Sequence, residues 1–164
     1  MKKISVLFFV MALAVSAFAQ DRVPSIVLTR LNGEKVNIAE HVKQNEITII
    51  NFWATWCAPC RRELENIVDL YPEWRENYNV EIIAVSIDDA RTRAKVKPYV
   101  DGQGFTYNVL MDENKELFQA LNGIMPPLTL IINKEGVILD IKTGYSPGDE
   151  DLLEEKLKKF TATK

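Results

Sequence analysis

Nitrogen and sulfur metal ligands are scarce in this 164-residue sequence, which has one histidine and two cysteines. A closed zinc site takes about four nitrogen or sulfur ligands. Two thiols and a distant His41 do not supply them within one chain, so no metal is expected, and His41 is read as a surface residue following a hairpin. Small secreted domains that depend on disulfides spread several cysteines along the chain; here the pair lies three residues apart. Basic and acidic residues nearly balance, 20 against 23. A formal net charge of −3 gives no electrostatic reason to bind nucleic acid or anionic lipid. Repeats and low-complexity tracts are absent.

The N-terminus has a distinct pattern. Lys2 and Lys3 precede an apolar run from Ile4 to Val15, then the small-residue triplet Ala17-Phe18-Ala19, which is the layout of a secretory signal peptide over residues 1–19. The run is shorter than the roughly 20 residues a bilayer span needs, so an uncleaved anchor is the lesser reading. No cysteine follows the triplet, which argues against a lipoprotein. Removing the two lysines takes the formal charge from −3 to −5. Residues 20–164 are enough for one domain with a sizeable core.

Val23 to Ile38 reads as two short strands, IVLT and KVNI, joined at Asn32-Gly33. EITIINFW (46–53) and VEIIAVSID (80–88) are apolar, β-branched runs suited to strands buried on both faces. The segment between them is helical from about Pro59 to Tyr78, with Leu64, Ile67, Val68 and Tyr71 on one face and Pro72 kinking or ending it. Strand, helix and buried strand in that order form a parallel βαβ unit. A polar helix (about Ala90 to Val100), a break at Gly102-Gln103-Gly104, a strand at YNVLMD and a helix from Asn114 to Leu121 add one further βα unit. LTLIIN and GVILDIK form an antiparallel hairpin turning at Lys134-Glu135-Gly136, and Gly148 to Phe160 is a closing amphipathic helix.

Both cysteines lie in NFWATWCAPCRRE, residues 51–63. As a staple the pair would contribute little, because the entropy a crosslink removes grows with the loop it closes and this loop is four residues. A reactive pair fits better. Pro59 suits a first helical turn, which puts Cys57 at or just before the helix start, where free amides and the helix dipole stabilise a thiolate. Cys57 is thus expected to be exposed and acidified, and Cys60, one turn in, buried and less acidic.

Strand, CxxC and helix together resemble the active-site segment of thioredoxin-like proteins. The export signal, the N-terminal hairpin, the extra βα unit and Glu63 after Cys60 are similar to the TlpA and ResA type of envelope thiol-disulfide oxidoreductase. The resemblance extends from about Ser25 to Phe160. It implies an α/β thioredoxin-like fold: a central mixed β-sheet flanked by helices, with an N-terminal β-hairpin and one βα insertion. It also implies no cofactor. MPPLTLIIN resembles the segment that carries the family's cis-proline, which falls on Pro127. The preceding residue usually docks a bound polypeptide through its N–H and C=O. Pro126 has no N–H, so side chains of Trp56, Met125 and Leu128 are expected to contribute to substrate binding.

Where thioredoxin has a buried aspartate, this chain has Asn51, which cannot act as a base at neutral pH. Glu63, one turn beyond Cys60, is the nearest acidic candidate to take its proton. The alternative is a solvated first-turn carboxylate. Family helices often have proline at the position of Glu65, so a straighter helix is expected.

Ala58-Pro59 offers no cation or side-chain donor to a Cys57 thiolate, and Arg61 and Arg62 are expected to be solvated, so the reducing side is favoured. By the resemblance, the protein is a periplasmic monomer that reduces oxidised envelope proteins, possible targets including apocytochrome c, with electrons from a membrane thiol carrier of the DsbD or CcdA kind. The alternatives are a thiol oxidant, or a non-redox binding or chaperone module using the Pro127 groove. A peroxidase of the peroxiredoxin type would have Thr-x-x-Cys, whereas Thr55 lies only two residues before Cys57.

Overall fold

The computed structural model describes residues 22–162; the expected signal peptide lies outside them. Seven strands form one sheet in the order β2-β1-β5-β4-β3-β6-β7. Its centre is β3 (Ile47–Trp53) and β4 (Val80–Ser86), paired in parallel from Ile47 opposite Val80 to Trp53 opposite Ser86. Every residue of both strands is buried, as suits mainly apolar, β-branched sequences, and the polar members Thr48, Asn51, Glu81 and Ser86 are buried with the rest. β5 (Asn108–Met111) continues the parallel set beside β4. β6 (Leu128–Asn133) and β7 (Ile138–Thr143) form the antiparallel hairpin on the other side of β3. The N-terminal hairpin of β1 (Val27–Arg30) and β2 (Lys35–Asn37) extends the sheet by pairing β1 antiparallel to β5. The sheet is therefore mixed, with helices packed against it. No helix among the described residues is long and apolar enough to cross a membrane.

Local chemistry moved several expected boundaries. Ile38 starts a short helix, α1 (Ile38–His41), because the Asn37 side chain caps it by accepting from the Glu40 N–H. The segment after the cysteines is two helices, α2 (Ala58–Ile67) and α3 (Tyr71–Tyr78). Pro72 has no N–H to continue a single helix but fits the first turn of a new one. The next helix, α4 (Val96–Gln103), starts later than its pattern suggests and runs through Gly102; Gly104, at φ 64°, ends it in the left-handed conformation. Pro98 falls in its first turn, where no donor is lost. α5 (Glu116–Ala120) precedes β6, and α6 (Asp149–Thr161) closes the chain.

His41 is not a free surface residue. Its side chain is 11% exposed, and Nε2 lies 3.0 Å from Oε1 of Glu81. The short helix turns it inward onto β4, a contact set by tertiary folding.

Candidate active site

Cys57 is the N-cap of α2, and Cys57 and Cys60 are joined in a disulfide with Cα atoms 5.3 Å apart. The Cys57 sulfur also accepts from the Cys60 N–H at 3.3 Å, so an N-terminal amide already points at the atom that would carry charge after reduction. Cys60 is fully buried and Cys57 is 6% exposed. The order of exposure is the expected one, but Cys57 is more covered than the sequence suggests, because the disulfide holds its sulfur against the buried Cys60. Arg62 is exposed, whereas Arg61 is half-buried over the Tyr99 ring, 5.7 Å from its centroid.

The loop leading into the pair is tied down by a residue that sequence reasoning passed over. Asp88, fully buried just past β4, accepts from the Thr55 N–H at 2.9 Å, the Thr55 hydroxyl at 2.6 Å and the Ser86 hydroxyl at 2.9 Å. Two of these bonds hold Thr55, one through its backbone N–H and one through its hydroxyl, two residues before Cys57. The visible hint in the sequence is an aspartate just past a largely apolar run.

The Pro126–Pro127 peptide is cis. Leu128 pairs with Phe52, so Pro127 lies at the end of β6 beside the end of β3, where the chain leaves for the cysteines. In the loop after β3 Trp56 is 55% exposed, and in the segment leading to Pro127 Ile124 is 95% and Met125 72% exposed, while Pro126 is half-buried. Leu128, expected among the contact side chains, is 3% exposed: as the first residue of β6 it packs into the core and cannot meet a partner.

Glu63 is not a solvated carboxylate. It is 3% exposed, because it points from α2 onto β3 and β6, and α6 packs against the same helix. Its Oε2 accepts from Asn51 Nδ2 at 2.9 Å and its Oε1 from the Thr129 hydroxyl at 3.1 Å, while Asn51 Nδ2 also donates to Thr129 Oγ1 at 2.9 Å. Lys142 Nζ stands 3.7 Å from Oε1. Burial raises the pKa of Glu63 above its ordinary 4.5; the Asn51 hydrogen bond, the Lys142 charge and the Thr129 hydroxyl oppose the rise, and the Asp149 charge adds to it. Glu63 also lines a cavity of about 310 Å³ with Thr129, Lys142, Asp149 and Leu153. Glu65, where a straighter helix was expected, accepts a hydrogen bond from the Tyr99 hydroxyl.

A family model described as AhpC/TSA matches residues 19–141. The chain belongs to the AhpC/TSA family. Over 138 residues, 84% of this chain and 76% of the relative, it is 33% identical to the thiol-disulfide oxidoreductase ResA of Bacillus thuringiensis. The solution structure of an uncharacterized thioredoxin-like protein from Porphyromonas gingivalis matches with 36% identity and a TM-score of 0.74, covering 85% of this chain and 92% of that one. A putative thiol:disulfide interchange protein DsbE from Chlorobium tepidum shares the fold at 20% identity and a TM-score of 0.75, covering 87% and 96%. The protein is thioredoxin-like and of the ResA type, and with Cys57 and Cys60 at CxxC spacing its enzyme class is thiol-disulfide oxidoreductase.

The raised pKa of Glu63 has a consequence for stability. The folded protein binds this proton more tightly than the unfolded chain, where the group titrates near 4.5. The associated stability is complete below that pH and is lost as pH rises through the raised midpoint. Glu63→Gln carries no titrating group there. In urea unfolding of the oxidised proteins, the stability of the parent relative to Glu63→Gln should fall as pH rises above about 4.5, the ordinary value of the group, and level off once pH has passed the raised midpoint. A difference that stays constant with pH would contradict the burial cost.

Proposed function

We propose that the protein is exported to the periplasm, its N-terminal segment removed as a signal peptide, and that it reduces disulfides of envelope proteins there. The observation that carries the reading is the asymmetry of the cysteine pair: Cys57 caps a helix and Cys60 lies fully buried one turn inside it. After reduction, the Cys57 thiolate attacks a substrate disulfide. A Cys57–substrate bond forms, and the first substrate sulfur leaves and takes a proton. Cys60 then gives its proton to Glu63 and attacks the Cys57 sulfur, expelling the second substrate thiolate and restoring the Cys57–Cys60 disulfide. Two electrons have passed to the substrate, and a membrane thiol carrier of the DsbD or CcdA kind returns them.

Support for the reducing direction comes from the surroundings of Cys57. Ala58 and Pro59 bring no side-chain donor, and Arg61 is engaged with Tyr99, so little beyond the helix terminus stabilises the reduced form; a strongly oxidising pair needs such stabilisation. Support for a polypeptide substrate comes from the exposed apolar rim of Trp56, Ile124 and Met125 next to the Pro126–Pro127 peptide. Because Pro126 has no N–H, a bound segment loses one main-chain bond there, and these side chains carry more of the contact. Apocytochrome c is one substrate that fits. The protein works as a monomer.

Two outcomes test this reading. In the native envelope, Cys60→Ser should accumulate oxidised envelope proteins on Cys57, and Cys57→Ser should accumulate none; capture on Cys60 would reverse the roles. In stopped-flow kinetics, Glu63→Gln should leave the first attack nearly intact and slow release of the mixed disulfide by roughly 10²- to 10⁴-fold, the usual range of general-base assistance. Equal release rates would remove Glu63 from the reaction.

A further inference from the structure

Residues from three strands converge on Glu63. Asn51 on β3 pairs directly with Thr129 on β6, and Thr129 pairs directly with Lys142 on β7. Residues opposite one another in register project to the same face of a sheet, so the three form one row, and all three reach the Glu63 carboxylate descending from α2. Two of them are neutral donors. The third is a cation that is shared: Lys142 Nζ lies 2.7 Å from Oδ2 of Asp149, donates to the Gly144 carbonyl at 2.8 Å, and stands 3.7 Å from Glu63.

We propose that Lys142 and Asp149 are positioning residues that set the charge of Glu63, Lys142 holding it as a carboxylate and Asp149 limiting that hold by keeping the ammonium toward the rim. The proposal rests on the reading of Glu63 as the group that takes the Cys60 proton. The exposure gradient fits the assignment. The Glu63 side chain is 4% exposed, that of Asp149 18% and that of Lys142 22%, so the cation runs from the buried carboxylate to the cavity mouth. In a site this dry a charge within about 4 Å acts far more strongly than on the surface.

The other charged groups around the cavity pair with other residues or are exposed at its rim. Lys156 pairs with Asp140 at 2.6 Å, and Glu150 accepts from the Tyr145 hydroxyl at 3.0 Å. Glu155 and Lys159 are exposed at the rim. On α2 itself Arg61 lies over the Tyr99 ring, Glu65 accepts from the Tyr99 hydroxyl, Arg62 is exposed, and Cys60, one turn back, is ionisable once the disulfide is reduced. Asp149, in turn, is held below the usual carboxylate range, chiefly by its hydrogen bond from Lys142, and so stays charged when Glu63 changes state.

Opposite effects are expected from two near-isosteric changes. Lys142→Met removes the attraction and should raise the Glu63 titration midpoint by about one pH unit. Asp149→Asn removes a like charge and frees Lys142 to approach, so the midpoint should fall; Lys142→Arg should stay close to the parent. The midpoint is read from the carboxyl carbon signal of Glu63 in full-length protein labelled with ¹³C-glutamate, the signal being identified by its loss in Glu63→Gln. The pH profile of mixed-disulfide release should move in step, to higher pH for Lys142→Met and lower for Asp149→Asn. A midpoint unmoved by Lys142→Met, or moved the same way by both changes, overturns the proposal. Midpoints that separate as expected while release is the same in every variant, Glu63→Gln included, would uphold the charge assignment and defeat the base reading.

Discussion

Asn51, Thr129 and Glu63 form a closed ring of hydrogen bonds beneath the helix that carries the cysteines. A buried carboxylate with no such partners would be strongly destabilising, and this one sits at 3% exposure. Several features of this side of the molecule follow from that constraint. Both carboxylate oxygens have donors, the flanking lysine is held in place by an aspartate and a backbone carbonyl, and the covering helix α6 begins with that aspartate. The ring also links three elements, β3, β6 and α2, so the turn of helix holding Cys60 is fixed relative to the sheet.

The opposite side of the active-site loop is fixed by a second buried carboxylate. Asp88 binds Thr55 through backbone and side chain and takes a further bond from Ser86. The cysteines therefore sit between two anchored segments, while the residues offered to a partner, Trp56, Ile124 and Met125, are the exposed ones. A rigid reactive pair next to an adaptable apolar rim suits an enzyme that meets many polypeptides at one disulfide chemistry.

The parts of this arrangement that depend on neighbouring residues in the chain were legible in the sequence. Cys57 at the helix start follows from Pro59 two residues on, and the buried pair β3 and β4 follows from two runs rich in β-branched and apolar residues. The cis peptide before Pro127 was reached through resemblance. What was not legible depends on register and on distant elements. Nothing near Glu63 tells that α6, built from Asp149–Thr161, will cover it. That Asn51, Thr129 and Lys142 share a row is decided by how β6 and β7 align, and a shift of one residue would turn each side chain to the opposite face. Leu128 and His41 were misjudged for the same reason: the packing partners that bury them come from other strands.

The coupling of Glu63 to the cysteine pair can be observed most directly by infrared difference spectroscopy between the oxidised and reduced protein near neutral pH. Reduction places a thiol one helical turn from the buried carboxyl, and a carboxyl that takes the Cys60 proton changes its proton sharing with redox state. A carboxyl band that differs between the two states and disappears in Glu63→Gln is the expected result. A difference spectrum with no contribution from Glu63 would contradict a role for this carboxylate in the proton transfer of the Cys57–Cys60 couple.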